Sequence, residues 1–100
     1  MTLHPLKQVT IVCEALARVA VVAVLKDSGA HGWTLATVEG HGAGGARDGE
    51  IPELANLRLE VLLQPAAAAM VLERLERDLF PRYAMIAWET DVRVLRPARF

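Results

Sequence analysis

The stretch Glu39 to Glu53, EGHGAGGARDGEIPE, holds five of the chain's seven glycines. Glycine admits positive φ and lets an anion approach backbone N–H groups closely. Gly42 and Gly44, with Gly40 and His41 before them and Arg47 just beyond, therefore read as an anion cradle with a cation to pair the charge. A hairpin tip with no binding role is the other reading of the same composition. The lysine and hydroxyl of a Walker loop are missing, and a strand rather than a helix follows, so neither phosphate-loop fingerprint applies.

Other residues carry less chemistry. Cys13 ends an apolar strand on its core side and reads as packing, not as a nucleophile. With His4, His31 and His41 it shows no metal-ligand spacing, so no metal site is predicted. Glu60 either pairs with Arg58 or meets a ligand. Trp33 and Trp88 either stack on a base or fill the sheet face. Glu73 and Arg77 stand at i,i+4 on a helix face read as solvated. No Ser–His–Asp or paired-carboxylate set stands out, and no catalysis is predicted.

Six elements must position these residues. LKQVTIVC alternates as a strand, with Val9, Ile11 and Cys13 on one side and Gln8, Thr10 and Val12 on the other. A helix follows from Glu14, with Gly29 as its C-terminal cap and an apolar stripe of Leu16, Ala20 and Val24 beside Val19 and Ala23. HGWTLATVEG is a second strand. ANLRLEVLLQ is a third, pointing Leu57, Leu59, Val61 and Leu63 one way and Arg58, Glu60 and Leu62 the other. Pro65 opens a second helix, closed by Pro81, with Ala68, Val71, Leu72, Leu75 and Leu79 aligned. YAMIAWETDVRVLRP is the last strand, bent near Glu89–Asp91.

The order βαββαβ predicts an α+β, ferredoxin-like sandwich over residues 1–100, a single domain. A four-stranded antiparallel sheet carries both helices on one face. The other face is predicted to present Val12, Leu35, Leu62, Ile86 and Trp88. With 53% hydrophobic residues, that second apolar face implies a symmetric oligomer. A formal net charge of −1 provides no basic field for nucleic acid. The longest apolar run, ALARVAVVAVL, is broken by Arg18 and too short to span a bilayer. The start MTLHPLKQV lacks a signal-peptide layout, and the lone cysteine fits a reducing compartment, so a cytoplasmic location is predicted.

GWTLATVEGHGAGG resembles the PII signalling proteins at the start of their long T-loop, and ANLRLEVLL resembles the strand that follows it. LFPRYAMIAWETDVRVLR lacks the TGxxGDGKIFV segment with which PII proteins wrap ATP phosphates. It is similar instead to the PII-like proteins linked to bicarbonate transport and to carboxysomes. HPLKQVTIVCEA and DVRVLRPARF fit the carboxysome-associated branch. The resemblance covers almost the whole chain.

It implies a homotrimer with adenine nucleotide sites, for ADP or AMP, in clefts between subunits, and with bicarbonate as a further ligand. It also implies a T-loop over about 40–54 that meets a protein target such as a carboxysome component or bicarbonate transporter. Carried over by position, Thr34 lies near the adenine and Gly40, His41 and Gly42 lie against the nucleotide. Glu60, Val61 and Leu62 read the base edge through their backbone. Arg82, Tyr83, Ala84 and Met85 replace the phosphate-wrapping segment, and Arg96 stands where a C-terminal arginine reaches the neighbouring cleft. Ala43 and Gly44 replace the arginine and glutamine of the family loop, which favours a mono- or diphosphate over a triphosphate. A ligand-independent trimeric adaptor and a metal-binding trimer of the same fold are the alternatives.

Overall fold

In the computed structural model, residues 1–42, 45–47 and 56–96 are described, with side chains for 1–40 and 56–96. Strand β1 (His4–Glu14) is central because its β-branched, alternating run can pair on both sides. It pairs antiparallel with β5 (Asn56–Leu63) and with β6 (Met85–Val94), and β2 (Thr34–Val38) closes the other edge against β5. The sheet order is β2-β5-β1-β6. Helices α1 (Arg18–Asp27) and α2 (Pro65–Arg74) bury their apolar sides against one face of it. This is the predicted α+β, ferredoxin-like arrangement.

The core lies between that face and the helices. Val9, Ile11 and Cys13 of β1 meet Leu57, Leu59, Val61 and Leu63 of β5, with Ala68, Val71, Leu75 and Leu79 above them. All of these positions were expected on the core side. Pro65 occupies the first turn of α2 after Gln64, where its missing N–H costs nothing. The second helix then widens into a π-helical turn, Leu75–Leu79, closed by the Phe80 N–H donating to the Leu75 carbonyl at 2.8 Å. Leu75 and Leu79 are both buried at this turn.

Three expectations are corrected. The buried side of the first helical segment is Ala17, Val21, Val24 and Leu25, whereas Leu16 and Val19 are 61% and 82% exposed. The run ALARVAVVAVL is apolar nearly all round, so several stripes satisfy helical spacing, and packing on the sheet selects one. A three-residue 3₁₀ turn, Ala15–Ala17, leads into the helix and buries Ala17. Leu35 pairs with Leu59 and therefore lies on the helix side, not on the other face. Strand β6 has no break at Glu89–Asp91, because β1 pairs with it from Cys13 back to His4. On the solvated face of the second helix, Arg77 pairs with Asp78, its Nε and Nη2 donating to the two carboxylate oxygens at 2.9 and 3.0 Å. That pairing raises the Arg77 pKa and lowers that of Asp78.

The glycine at the end of the first helix behaves as predicted. Gly29 has φ of 84°, and its N–H donates to the Lys26 carbonyl at 3.1 Å. Within the long loop, β3 (Gly40–Gly42) pairs with β4 (Gly45–Arg47) as a separate two-stranded ribbon. Among the described residues, no helix is long and apolar enough to cross a membrane.

Candidate functional site

The expected base-reading residues gather at the β2–β5 edge. Thr34 opens β2 directly opposite Glu60. The pairing stops there, so the backbone of Val61, Leu62 and Leu63 has no β2 partner. An unpaired strand edge offers N–H and C=O groups in the plane where a heterocycle can use them. The chain from Ser28 to His31 borders this edge and encloses a cavity of about 190 Å³ with Leu62, Leu63 and Gln64. Ser28 holds that turn by donating its hydroxyl to the Leu25 carbonyl at 2.6 Å. Val61 is buried in the core, so only its backbone is available for recognition.

Glu60 points to the face away from the helices. Arg58 Nε donates to Glu60 Oε1 at 2.8 Å, and the same guanidinium lies 5.7 Å from the Trp88 ring centroid. The register aligns Thr34, Glu60, Thr10 and Trp88 in one row across the sheet, and Ala36, Arg58, Val12 and Ile86 in the next. Ile86 and Trp88 are exposed on this face, as expected for a surface that awaits a partner. Trp33, in contrast, packs on the core side, beside α1.

The described part of the loop is short strand. Gly40, His41 and Gly42 are drawn into the ribbon, paired with Arg47, Ala46 and Gly45. Extended strands direct N–H groups alternately to either side, so they form no continuous nest. A Cβ at Gly40 would stand 3.5 Å from Asn56 Nδ2, an ordinary contact. Among the described residues, positive φ belongs to Gly29 alone. Gly44 lies outside the described residues, and the side chains of His41 and Arg47 are not described.

The segment read as a phosphate wrap is the largest departure from expectation. The N–H groups of Arg82 and Tyr83 both donate to the Leu79 carbonyl, at 2.9 and 3.0 Å. The Ala84 N–H donates to Glu14 Oε2 at 2.7 Å, and Met85 is paired with Cys13 in the sheet. The Arg82 guanidinium donates to the Tyr83 hydroxyl at 3.3 Å and lies 5.2 Å from the Tyr83 ring centroid. Three amides expected to face a ligand are thus engaged within the chain. Glu14 was read from sequence only as a first-turn helix residue. Its contact lies seventy positions away along the chain, and no local pattern signals it.

One chain does not bring the expected groups together. The β2–β5 edge and the segment before β6 stand at opposite edges of the sheet, three strand spacings or roughly 14 Å apart. Arg96 follows the far end of β6, roughly 30 Å along that strand from Met85. Near that end, a cavity of about 690 Å³ is lined by Pro5, Lys7, Gln64, Pro65, Asp91 and Arg93, among others. Lys7 donates there to Asp91, a bond that raises the lysine pKa. Burial pushes the Cys13 thiol up to about 11, with the nearby Glu14 charge adding to the shift. Among the described residues, no three His, Cys, Asp or Glu side chains are grouped to hold a metal ion.

Comparison with known proteins places these features in a family. Residues 6–99 match the family described as nitrogen regulatory protein P-II. A PII-like signalling protein from Thermus thermophilus is 39% identical, with a TM-score of 0.87 over 100% of this chain and 99% of that one. CPII, a nitrogen regulatory PII-like protein from Thiomonas intermedia solved bound to ADP, AMP and bicarbonate, superimposes with a TM-score of 0.90. It is 23% identical, with 99% of this chain and 96% of that chain covered, a likeness of fold. The same protein bound to ADP and bicarbonate gives 0.89 at 23% identity, over 99% and 97% of the two chains. No curated protein matches the chain.

Proposed function

The chain belongs to the nitrogen regulatory P-II family, whose members are signalling proteins and not enzymes, and on that premise we propose that it is a trimeric sensor of adenine nucleotides. ADP or AMP binds in a cleft between subunits, with bicarbonate as a second ligand. The loop over about 40–54 carries the signal to a protein target in inorganic-carbon metabolism, such as a carboxysome component or a bicarbonate transporter. CPII, which shares the fold, was solved with ADP, AMP and bicarbonate, and this supports the choice of ligands.

The observation that carries the reading is the separation of the expected binding groups. Thr34 on the edge strand β2 and Glu60–Leu62 on the adjoining β5 lie to one side of β1, and Arg82–Met85 leads into the opposite edge strand β6. On this reading the ligand lies between one chain's β2–β5 side and a neighbour's segment before β6. The exposed Ile86 and Trp88 on the face away from the helices supply the apolar surface by which chains associate. Arg82 and Arg47 are the cations available to the phosphates, and Arg96 enters from a neighbour. Binding that prefers one loop arrangement shifts the loop by its differential affinity, which is the physical basis of signalling.

Calorimetry with ADP and AMP, with and without bicarbonate, tests the proposal, alongside the mass in solution. Heat of binding from a three-chain species is expected. A monomer, or no heat with any adenine nucleotide, overturns it. The internal pairing of the Arg82, Tyr83 and Ala84 amides favours a second reading, a trimeric adaptor that needs no ligand. That reading expects target binding unaffected by nucleotide.

A further inference from the structure

We propose that Glu14 sets the charge limit of the nucleotide site, so that it takes an adenine nucleotide with one phosphate in preference to two or three. The inference rests on the reading that Arg82–Met85 faces the phosphates. It arises from what already occupies that segment. The Glu14 carboxylate accepts the Ala84 N–H at 2.7 Å, and the Glu14 N–H donates to the Ala84 carbonyl at 3.1 Å. A carboxylate on a backbone amide is the same interaction that a phosphate oxygen would make there. The chain supplies its own anion to this position.

The surroundings reinforce the limit. The helical run from Pro65 through Leu79 ends at this segment, and its last carbonyl, that of Leu79, takes the N–H groups of both Arg82 and Tyr83. A helix C-terminus carries roughly half a negative charge, which opposes a phosphate. Arg82 is the one cation between Leu79 and Met85. Against the full charge of Glu14 and the helix end, Arg82 offsets only part of a phosphate's charge within this segment, and Arg47 and Arg96 act on the ligand from the loop and from the neighbouring chain. Each further phosphate adds repulsion from Glu14 at short range.

Calorimetric titration of the intact protein with AMP, ADP and ATP tests the proposal, with Glu14→Gln as the variant. Glutamine keeps the chain length and an oxygen acceptor for the Ala84 N–H but removes the charge. The wild type is expected to bind AMP tighter than ADP, and ADP tighter than ATP. In the variant, the affinity for ADP relative to AMP is expected to rise about tenfold or more. An unchanged ratio in a variant with wild-type unfolding temperature and subunit count overturns the role of Glu14 and leaves nucleotide sensing in place. ADP or ATP bound more tightly than AMP by the wild type overturns it without any variant. No heat from any of the three overturns the nucleotide reading and this inference together.

Discussion

The guanidinium of Arg58 reaches across β1 to lie 5.7 Å from the ring centroid of Trp88, although their strands, β5 and β6, are not neighbours. Thr10 stands between Glu60 and Trp88 in the register and is 1% exposed. The surface away from the helices is thus pre-ordered: an ion pair and a cation–π contact hold Trp88 in place. Ile86, next to it, is 59% exposed and has nothing over it in the single chain.

Ile86→Lys is therefore expected to disperse the assembly, because a lysine on each chain would bring buried charge to the seam. Light scattering coupled to size exclusion reads the result as a fall from three chains toward one. An unchanged mass would place the seam elsewhere.

The phase of the first helix can be tested with two leucines. Leu25→Ala empties a fully buried position and is expected to cost about 2–5 kcal/mol. Leu16→Ala, on the exposed side, is expected to stay within about 0.5 kcal/mol. Urea unfolding of the two variants separates them; equal costs would mean that the outer side is also covered.

Cys13 gives a pH dependence of defined sign. Its thiol is protonated in the folded chain up to about 11, against 9.0 in an open environment, so the native state retains its proton where the unfolded chain loses it. Stability is fully present below pH 9 and falls as the pH rises toward 11, by up to about 3 kcal/mol. The decline should be shallower in Cys13→Ala, measured by denaturant unfolding at each pH. At neutral pH, thiol labelling of the native protein should run at least about 100-fold slower than in the unfolded chain.

Gly29→Ala separates backbone strain from packing. No atom lies within 4 Å of a Cβ there, but φ is 84°, and an alanine in that region costs about 1 kcal/mol. Gly32→Ala also has open space, without the positive φ, and is expected to be neutral. Thermal unfolding of the pair distinguishes them.

Arg82→Ala addresses the ligand directly. Loss of a charge-assisted bond is expected to weaken AMP or ADP binding by about 1.5–3 kcal/mol, roughly 10- to 150-fold. Unchanged calorimetric affinity would remove Arg82 from the site.

Alternation of side chains along Val9–Cys13 and Leu57–Leu63 was enough, in the sequence alone, to determine which faces enter the core. Pro65 and Gly29 marked their helix ends, and the order of elements determined the sandwich. These are local properties, set by the two-residue period of a strand and by the φ that proline and glycine allow. What only the tertiary structure decided is non-local. ALARVAVVAVL satisfies several helical stripes, and contact with the sheet chose Val21 and Leu25 over Leu16 and Val19. The amides of Arg82, Tyr83 and Ala84 looked open in sequence, yet the end of one helix and a carboxylate seventy residues upstream had taken them. A backbone N–H bonds to whatever acceptor the fold brings near it, and nothing in its own residue type records which one that is.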